Sequence, residues 1–245
     1  LKLDHIQKYY GNEGNVTRAI RDIDFKVPDH GTVGIIGGTG SGKSTVLHLL
    51  NHMYDASKGK VLIYGKDVRS YKEKELTKIV GLVPQRGVLF HGSIRDNIRF
   101  GREDITDDMI ATAVHAAQAD NVIESKEHGL DEEILQDARN LSGGQRQRLT
   151  IARALAGQPK ILVLDDSASA LDVATDAALR KAIRGLPWHP TTFIVSQRAS
   201  SVMEADQILV MEDGCIVGKG KHEDLLRDNA IYQEIYYSQF PKDEK

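Results

Sequence analysis

Residues 32–50 read TVGIIGGTGSGKSTVLHLL, and this stretch decides the fold. The apolar run 32–36 has the composition of a short buried strand, and residues 44–53 carry apolar positions at helical spacing. Between them Gly37, Gly38, Thr39, Gly40, Ser41, Gly42, Lys43 and Ser44, followed by Thr45, match G-x-x-x-x-G-K-[ST] in the strand-to-helix setting that gives the pattern its meaning. Glycines let the backbone curl until successive N–H groups converge on phosphate oxygens, and the amino end of the helix adds partial positive charge. The spacing predicts a phosphate-binding loop in which Lys43 bridges the β- and γ-phosphates of a nucleotide and the Ser44 hydroxyl ligates Mg²⁺.

Outward from the loop, short β-branched runs recur at 61–64, 79–83, 161–164, 192–195 and 207–211. Longer amphipathic stretches, such as Gly143–Ala156, lie between several of them, which predicts strands alternating with helices around a largely parallel sheet. Residues 1–35 instead show alternating segments punctuated by Gly11-Asn12 and Pro28-Asp29, a pattern for antiparallel β structure. Residues 87–150 read mostly as helix, including 107–119, with no strong strand signal before Ile161. The expectation is α/β: a core from residues 1–86 and 151–245 that includes the β subdomain, and a helical subdomain inserted at 87–150.

The bulk numbers limit the rest. With 245 residues and 40% hydrophobic content the chain can bury a large core. Its 32 basic and 35 acidic residues are mixed throughout, so no basic face advertises nucleic acid and none is expected as a partner. The single cysteine, Cys215, excludes an internal disulfide, and no apolar run approaches the roughly 18 residues of a membrane span. Cys215 reads as a small strand residue after an Asp213-Gly214 turn, and His91, His115, His128 and His222 lack the spacing of metal ligands. The first residue, Leu1, suggests a segment of a longer protein.

The run 161–172, ILVLDDSASALD, ends a buried strand in two adjacent carboxylates. With a phosphate loop upstream, Asp165 is expected to hold Mg²⁺ from the second side; the alternative is a cap on the following turn.

Leu141-Ser142-Gly143-Gly144-Gln145, LSGGQ, ahead of that strand and downstream of the phosphate loop, resembles the signature of ATP-binding cassette (ABC) ATPases, and the resemblance extends over essentially the whole chain. Gln85, in VPQRGVLFHGSIRDNI, looks like the glutamine of the family's Q-loop, and Ser169-Ala170-Leu171-Asp172 like its D-loop. The resemblance implies a P-loop NTPase with a RecA-like core, an antiparallel β subdomain and a helical subdomain. It implies that ATP and Mg²⁺ are bound, and that two domains pack head to tail. Ser142 and Gly144, with Gly143 and Gln145 beside them, would then contact the γ-phosphate of a nucleotide on the partner. Tyr10 occupies the place of the aromatic that stacks on adenine, with Tyr9 as the alternative. Gln85 would ligate Mg²⁺ or hold the attacking water through its amide oxygen. The phrase VLFHGSIRDNIRFG resembles the exporter branch, whereas EEILQDARN departs from that branch's glycine-flanked glutamate at Gln136-Asp137-Ala138.

Two departures fall on the chemistry. Where most of the family has glutamate after the metal-side aspartate, this chain has Asp166, a reach shorter by about 1.3 to 1.5 Å. A misplacement of about 1 Å can cost a catalytic base on the order of a hundredfold. Where the family carries histidine after the strand TTFIV, this chain has Gln197, which hydrogen-bonds to phosphate but carries neither proton nor charge. The pattern resembles the degenerate-site half of heterodimeric bacterial ABC exporters, often multidrug exporters. The expectation is a slow site on this chain's own phosphate loop, with its LSGGQ completing the site of a second, non-identical half-transporter. A transmembrane domain of its own chain would place the domain on the cytoplasmic face of the cell membrane. The competing readings are a self-sufficient homodimeric ATPase using Asp166 as base and a soluble ABC protein acting on ribosomes or DNA. The single cassette and near-neutral charge argue against the last.

Overall fold

The computed structural model describes residues 1–11, 15–27 and 29–241. Of the expected turns, Asn12 and Pro28 lie outside the described residues. The chain divides into two compact units, Leu1–Thr77 with Thr191–Lys245, and Lys78–Pro190.

The first unit opens with β1 (Lys2–Tyr10) and β2 (Thr17–Lys26), paired antiparallel with Leu3 opposite Phe25 and Ile6 opposite Ile23. These four side chains are buried while charged neighbours face out, as expected of a sheet covered on one face. β3 (Thr32–Gly37) is buried along nearly its whole length and leads into α1 (Lys43–Leu50). β4 (Lys58–Ile63) and β5 (Lys66–Asp67) complete a sheet of order β2-β1-β4-β5. The strand expected at 61–64 begins earlier and stops at Ile63. Tyr64 and Gly65 both have positive φ, 50° and 78°, and form the two-residue turn of the β4–β5 hairpin. Next comes α2 (Glu73–Ile79), which takes Ile79 from the strand expected at 79–83.

In the second unit β6 (Val80–Val83) begins the chain and is followed by β7 (Gly92–Ser93), α3 (Ile94–Arg99), α4 (Asp107–Ala116), α5 (Asp120–Glu124), β8 (Glu133–Ile134), α6 (Gly143–Ala156), β9 (Ile161–Asp165) and α7 (Val173–Arg184). β6 and β9 pair in parallel, Val80 beside Ile161 through Val83 beside Leu164. The helix expected at 107–119 stops at Ala116, and Gln118 turns the chain at φ 57°. β7 and β8 form a ladder of two residues on each side, too short to leave a periodic signal in the sequence. It adds a short ladder to a stretch that reads mostly as helix. α6 is the pillar of this unit: Leu149, Ile151, Ala152, Leu155 and Ala156 are fully buried, each large one contributing on the order of 2 kcal/mol of gross burial.

The chain returns to the first unit with β10 (Thr191–Val195), α8 (Ala199–Val202), β11 (Gln207–Glu212), β12 (Cys215–Gly220), α9 (His222–Asp228) and α10 (Ala230–Gln239). Here β3 lies between β11 and β10, parallel to both, with β12 antiparallel on the outer edge of β11. Strands enclosed in this way read as continuous apolar runs, and Val33, Ile35, Ile36, Phe193, Leu209 and Val210 are all buried. No helix among the described residues is long and apolar enough to cross a membrane.

Candidate nucleotide site

The phosphate loop sits at the carboxyl end of β3, in the first unit. A Cβ at Gly37 would lie 2.1 Å from the carbonyl oxygen of Met211 at the end of β11, so only glycine allows the strand to turn there. Gly42 caps α1 at φ 99°, where a Cβ would meet the Ala19 carbonyl oxygen at 2.8 Å. Buried Ser41 pins the loop from within: its N–H donates to Gly38 O at 3.3 Å, and its carbonyl accepts from Gly214 N at 3.1 Å. Gly38, Thr39 and Gly40 are exposed above it. Lys43 is 8% exposed, and its ammonium donates to Gly37 O at 2.8 Å, Gly38 O at 2.6 Å and Ser41 Oγ at 3.2 Å. A buried cation held over a curled loop at a helix amino end is what a polyphosphate requires. Ser44 is exposed on the first turn of α1, and Thr45 is half-buried beside it.

Tyr10 ends β1 opposite Thr17. Its ring meets Tyr54 edge-on at 5.8 Å, Tyr54 meets His48 of α1 at 5.3 Å, and Lys8 Nζ lies 5.1 and 5.4 Å from the two tyrosine rings. Tyr9 has other company, donating its hydroxyl to Gln7 Oε1 with Arg18 over its ring at 5.7 Å. Successive strand residues point to opposite faces, which separates the two tyrosines.

Gln197 follows β10 as the loop follows β3. Val195 is paired with Ile35, so Gln197 and Gly37 each lie two residues beyond that pair, at the same end of two parallel strands. The Gln197 side chain is exposed and its carbonyl accepts from Gln239 Nε2 at 2.7 Å.

In the second unit the same logic brings Gln85 and Asp166 together, each two residues past the Val83–Leu164 pair. Gln85 Nε2 donates to Asp166 Oδ2 at 3.2 Å. Asp165 is 9% exposed at the end of β9, and Asp166 turns the chain at φ 44°, a conformation aspartate tolerates better than most residues. Buried Gln147 of α6 donates to Pro84 O at 3.1 Å, which ties the signature helix to the residue before Gln85. LSGGQ itself folds as a capping box. Ser142 Oγ accepts from Gln145 N at 3.2 Å and Gln145 Oε1 accepts from Ser142 N at 2.9 Å, with Gly143 and Gly144 opening the first turn. Just upstream, Asp137 and Ala138 adopt φ 57° and 50° where the sequence departs from its expected glycines. Asp172 caps α7, accepting from Thr175 N at 2.9 Å and Thr175 Oγ1 at 2.7 Å; those bonds hold its carboxyl below the usual range.

The histidines without ligand spacing have ordinary surroundings. His91 pairs with Glu133 at 2.9 Å, His115 with Asp120 at 3.0 Å, and His222 Nδ1 shares a hydrogen bond with Tyr232 Oη at 2.8 Å. Cys215 opens β12, half-buried. Tyr54, Gln147 and Gln239 were not legible in the sequence, because each meets its partner across tens of residues and belongs to no local motif.

The fold is that of a P-loop NTPase of the ATP-binding cassette class. A family model described as "ABC transporter" matches residues 20–169, and the chain belongs to that family. It is 42% identical, over 92% of its length, to the uncharacterized ABC transporter ATP-binding protein YfiB of Bacillus subtilis (strain 168), of which the match covers 39%. It is 38% identical, over 98% of its length, to the ATP-dependent lipid A-core flippase of Sodalis glossinidius (strain morsitans), covering 41% of that protein. Among solved structures it is similar to a bacterial Atm1-family ABC exporter with ATP bound, with a TM-score of 0.90 and 32% identity over 98% of this chain and 42% of the other. The chain thus spans about two fifths of the length of these relatives.

Proposed function

We propose that this chain is the ATP-binding domain of an ABC exporter half-transporter, and that its own phosphate-loop site binds ATP well and hydrolyses it slowly. The observation that carries this reading is the pairing of a fully formed phosphate loop with Asp166 and Gln197 at the two positions where catalysis needs a longer carboxylate and an imidazole. Residues 37–45 hold the phosphates, Tyr10 stacks on the base, and residues 87–150 form the helical subdomain that carries the signature.

A hard divalent cation takes oxygen donors, and the Ser44 hydroxyl, the Gln85 amide oxygen and the Asp165 carboxylate supply that chemistry. These residues would hold Mg²⁺, which would supply charge neutralisation for the phosphates of the nucleotide. Asp166 orients water poorly for want of one methylene. ATP at this site acts as a clamp whose binding energy biases the closed pair. The intact LSGGQ, with Asp172 further along the chain, serves the nucleotide of a non-identical half-transporter packed head to tail. A transmembrane domain outside this chain couples closure to export at the cytoplasmic face of the cell membrane, and the relatives that carry flippase or exporter names favour this assignment.

Equilibrium binding of Mg²⁺-ATP, with steady-state turnover on the same preparation, tests the reading. The protein is expected to bind ATP with turnover near background, and Lys43→Ala to weaken binding by roughly 10- to 100-fold through loss of a charge-assisted contact. Failure to bind ATP, or rapid turnover by this chain alone, would contradict it.

A further inference from the structure

We propose that Gln239, the last residue of α10, is a positioning residue for Gln197. Its side-chain amide grips the backbone on both sides of Gln197: Nε2 donates to Gln197 O at 2.7 Å, and Oε1 accepts from Ala199 N at 2.8 Å. A carbonyl can only accept and an N–H can only donate, so the two bonds together fix which way the amide faces.

The segment needs such a clamp. β10 ends at Val195 and α8 begins at Ala199, so the Gln197 backbone lies in neither strand nor helix. Ser196 holds the near side, with its N–H on Ile35 O at 3.2 Å and its Oγ accepting from Arg198 N at 3.0 Å. On the far side α8 has no side-chain cap from its own Ncap residue, Arg198. Gln239 supplies that missing acceptor to Ala199 from a helix forty residues away.

The clamp is delivered by a well-anchored element. Asn229 caps α10 by accepting from Tyr232 N at 2.8 Å and donates to Val217 O of β12 at 3.0 Å. Tyr232 is fully buried on His222, and Tyr236 stacks on Phe240 at 4.9 Å beside Gln239. Gln239 therefore reaches the β10–α8 connection from the end of an anchored helix, and the direction of the Gln197 side chain follows from the backbone that Gln239 holds. The inference rests on the reading above, in which the Gln197 amide contacts the γ-phosphate.

The test measures equilibrium affinities for Mg²⁺-ATP and Mg²⁺-ADP in the wild-type protein, Gln197→Ala, Gln239→Ala, Gln239→Glu, and the pair Gln197→Ala with Gln239→Ala. The preference for ATP over ADP isolates the γ-phosphate contact, which a general loss of folding does not move. Gln239→Glu keeps the side chain's size and its acceptor for Ala199 N–H while turning a carboxylate oxygen toward Gln197 O, so it remains readable if Gln239→Ala does not fold. Gln197→Ala is expected to lower the preference about tenfold, and each Gln239 variant about three- to tenfold. Gln239→Ala should lower it no further once Gln197 is alanine. An unchanged preference in both Gln239 variants, beside a lowered one in Gln197→Ala, would overturn the inference and leave the reading of Gln197 standing. Full additivity in the double variant would also overturn it. An unchanged preference in Gln197→Ala would remove the reading of Gln197 itself, and this inference with it.

Discussion

Asp166 and Gln197 differ by one methylene and one ring from the glutamate and histidine that the family resemblance leads one to expect. The Asp166 carboxylate accepts from Gln85 Nε2 at 3.2 Å, and the strand register that brings them together would carry a glutamate to the same point with about 1.5 Å more reach. Gln197 keeps a phosphate-binding amide and lacks the proton an imidazole would carry. Neither change touches Lys43 or the loop glycines, so on the proposed reading binding survives where chemistry slows. On the proposed reading Tyr10 belongs to the binding half. Tyr10→Ala should weaken Mg²⁺-ATP binding by roughly 5- to 100-fold, Tyr10→Trp should restore most of it, and GTP should suffer about as much as ATP, because any base stacks on an aromatic face. Nucleotide titration of the three proteins checks this; an alanine variant that binds as well as wild type would move the base elsewhere.

Two helices carry the working residues at their ends. α6 begins at the signature, and its capping box uses the Ser142 and Gln145 side chains on each other's backbone. Ser142→Ala should cost about 1 kcal/mol of stability, read as a shift in the urea midpoint without change in slope. α10 ends at Gln239 and depends on buried Tyr232, whose hydroxyl is pushed up to about 12 by burial. The folded hydroxyl thus keeps its proton where an unfolded tyrosine, titrating near 10, has lost it. Stability from this group is complete below about pH 10 and falls as pH rises toward 12. Alkaline unfolding followed by circular dichroism should show that decline in wild type and a shallower one in Tyr232→Phe; equal slopes would mean that Tyr232 is not the group responsible.

At the scale of the whole chain, what the sequence made legible was whatever is written in consecutive residues. The phosphate loop could be read because its turn needs glycine at Gly37 and Gly42 for steric reasons that hold in any protein. The signature could be read because a capping box spans four residues. Strand ends shifted where a turn or helix claimed the boundary residue, as Tyr64 and Ile79 did. Tyr54, Gln147 and Gln239 stayed hidden because their partners are brought to them only by the finished fold. On the proposed reading Asp166 and Gln197, and nothing else in the site, hold hydrolysis back. The most direct measurement is Mg²⁺-ATP turnover by the wild-type protein beside the Asp166→Glu, Gln197→His double variant at equal concentration, with nucleotide affinity determined for both. Similar affinities are expected, with near-background turnover in wild type and a rise of roughly tenfold or more in the variant. Brisk turnover by wild type, or a variant that binds ATP and remains as slow as wild type, would contradict that reading.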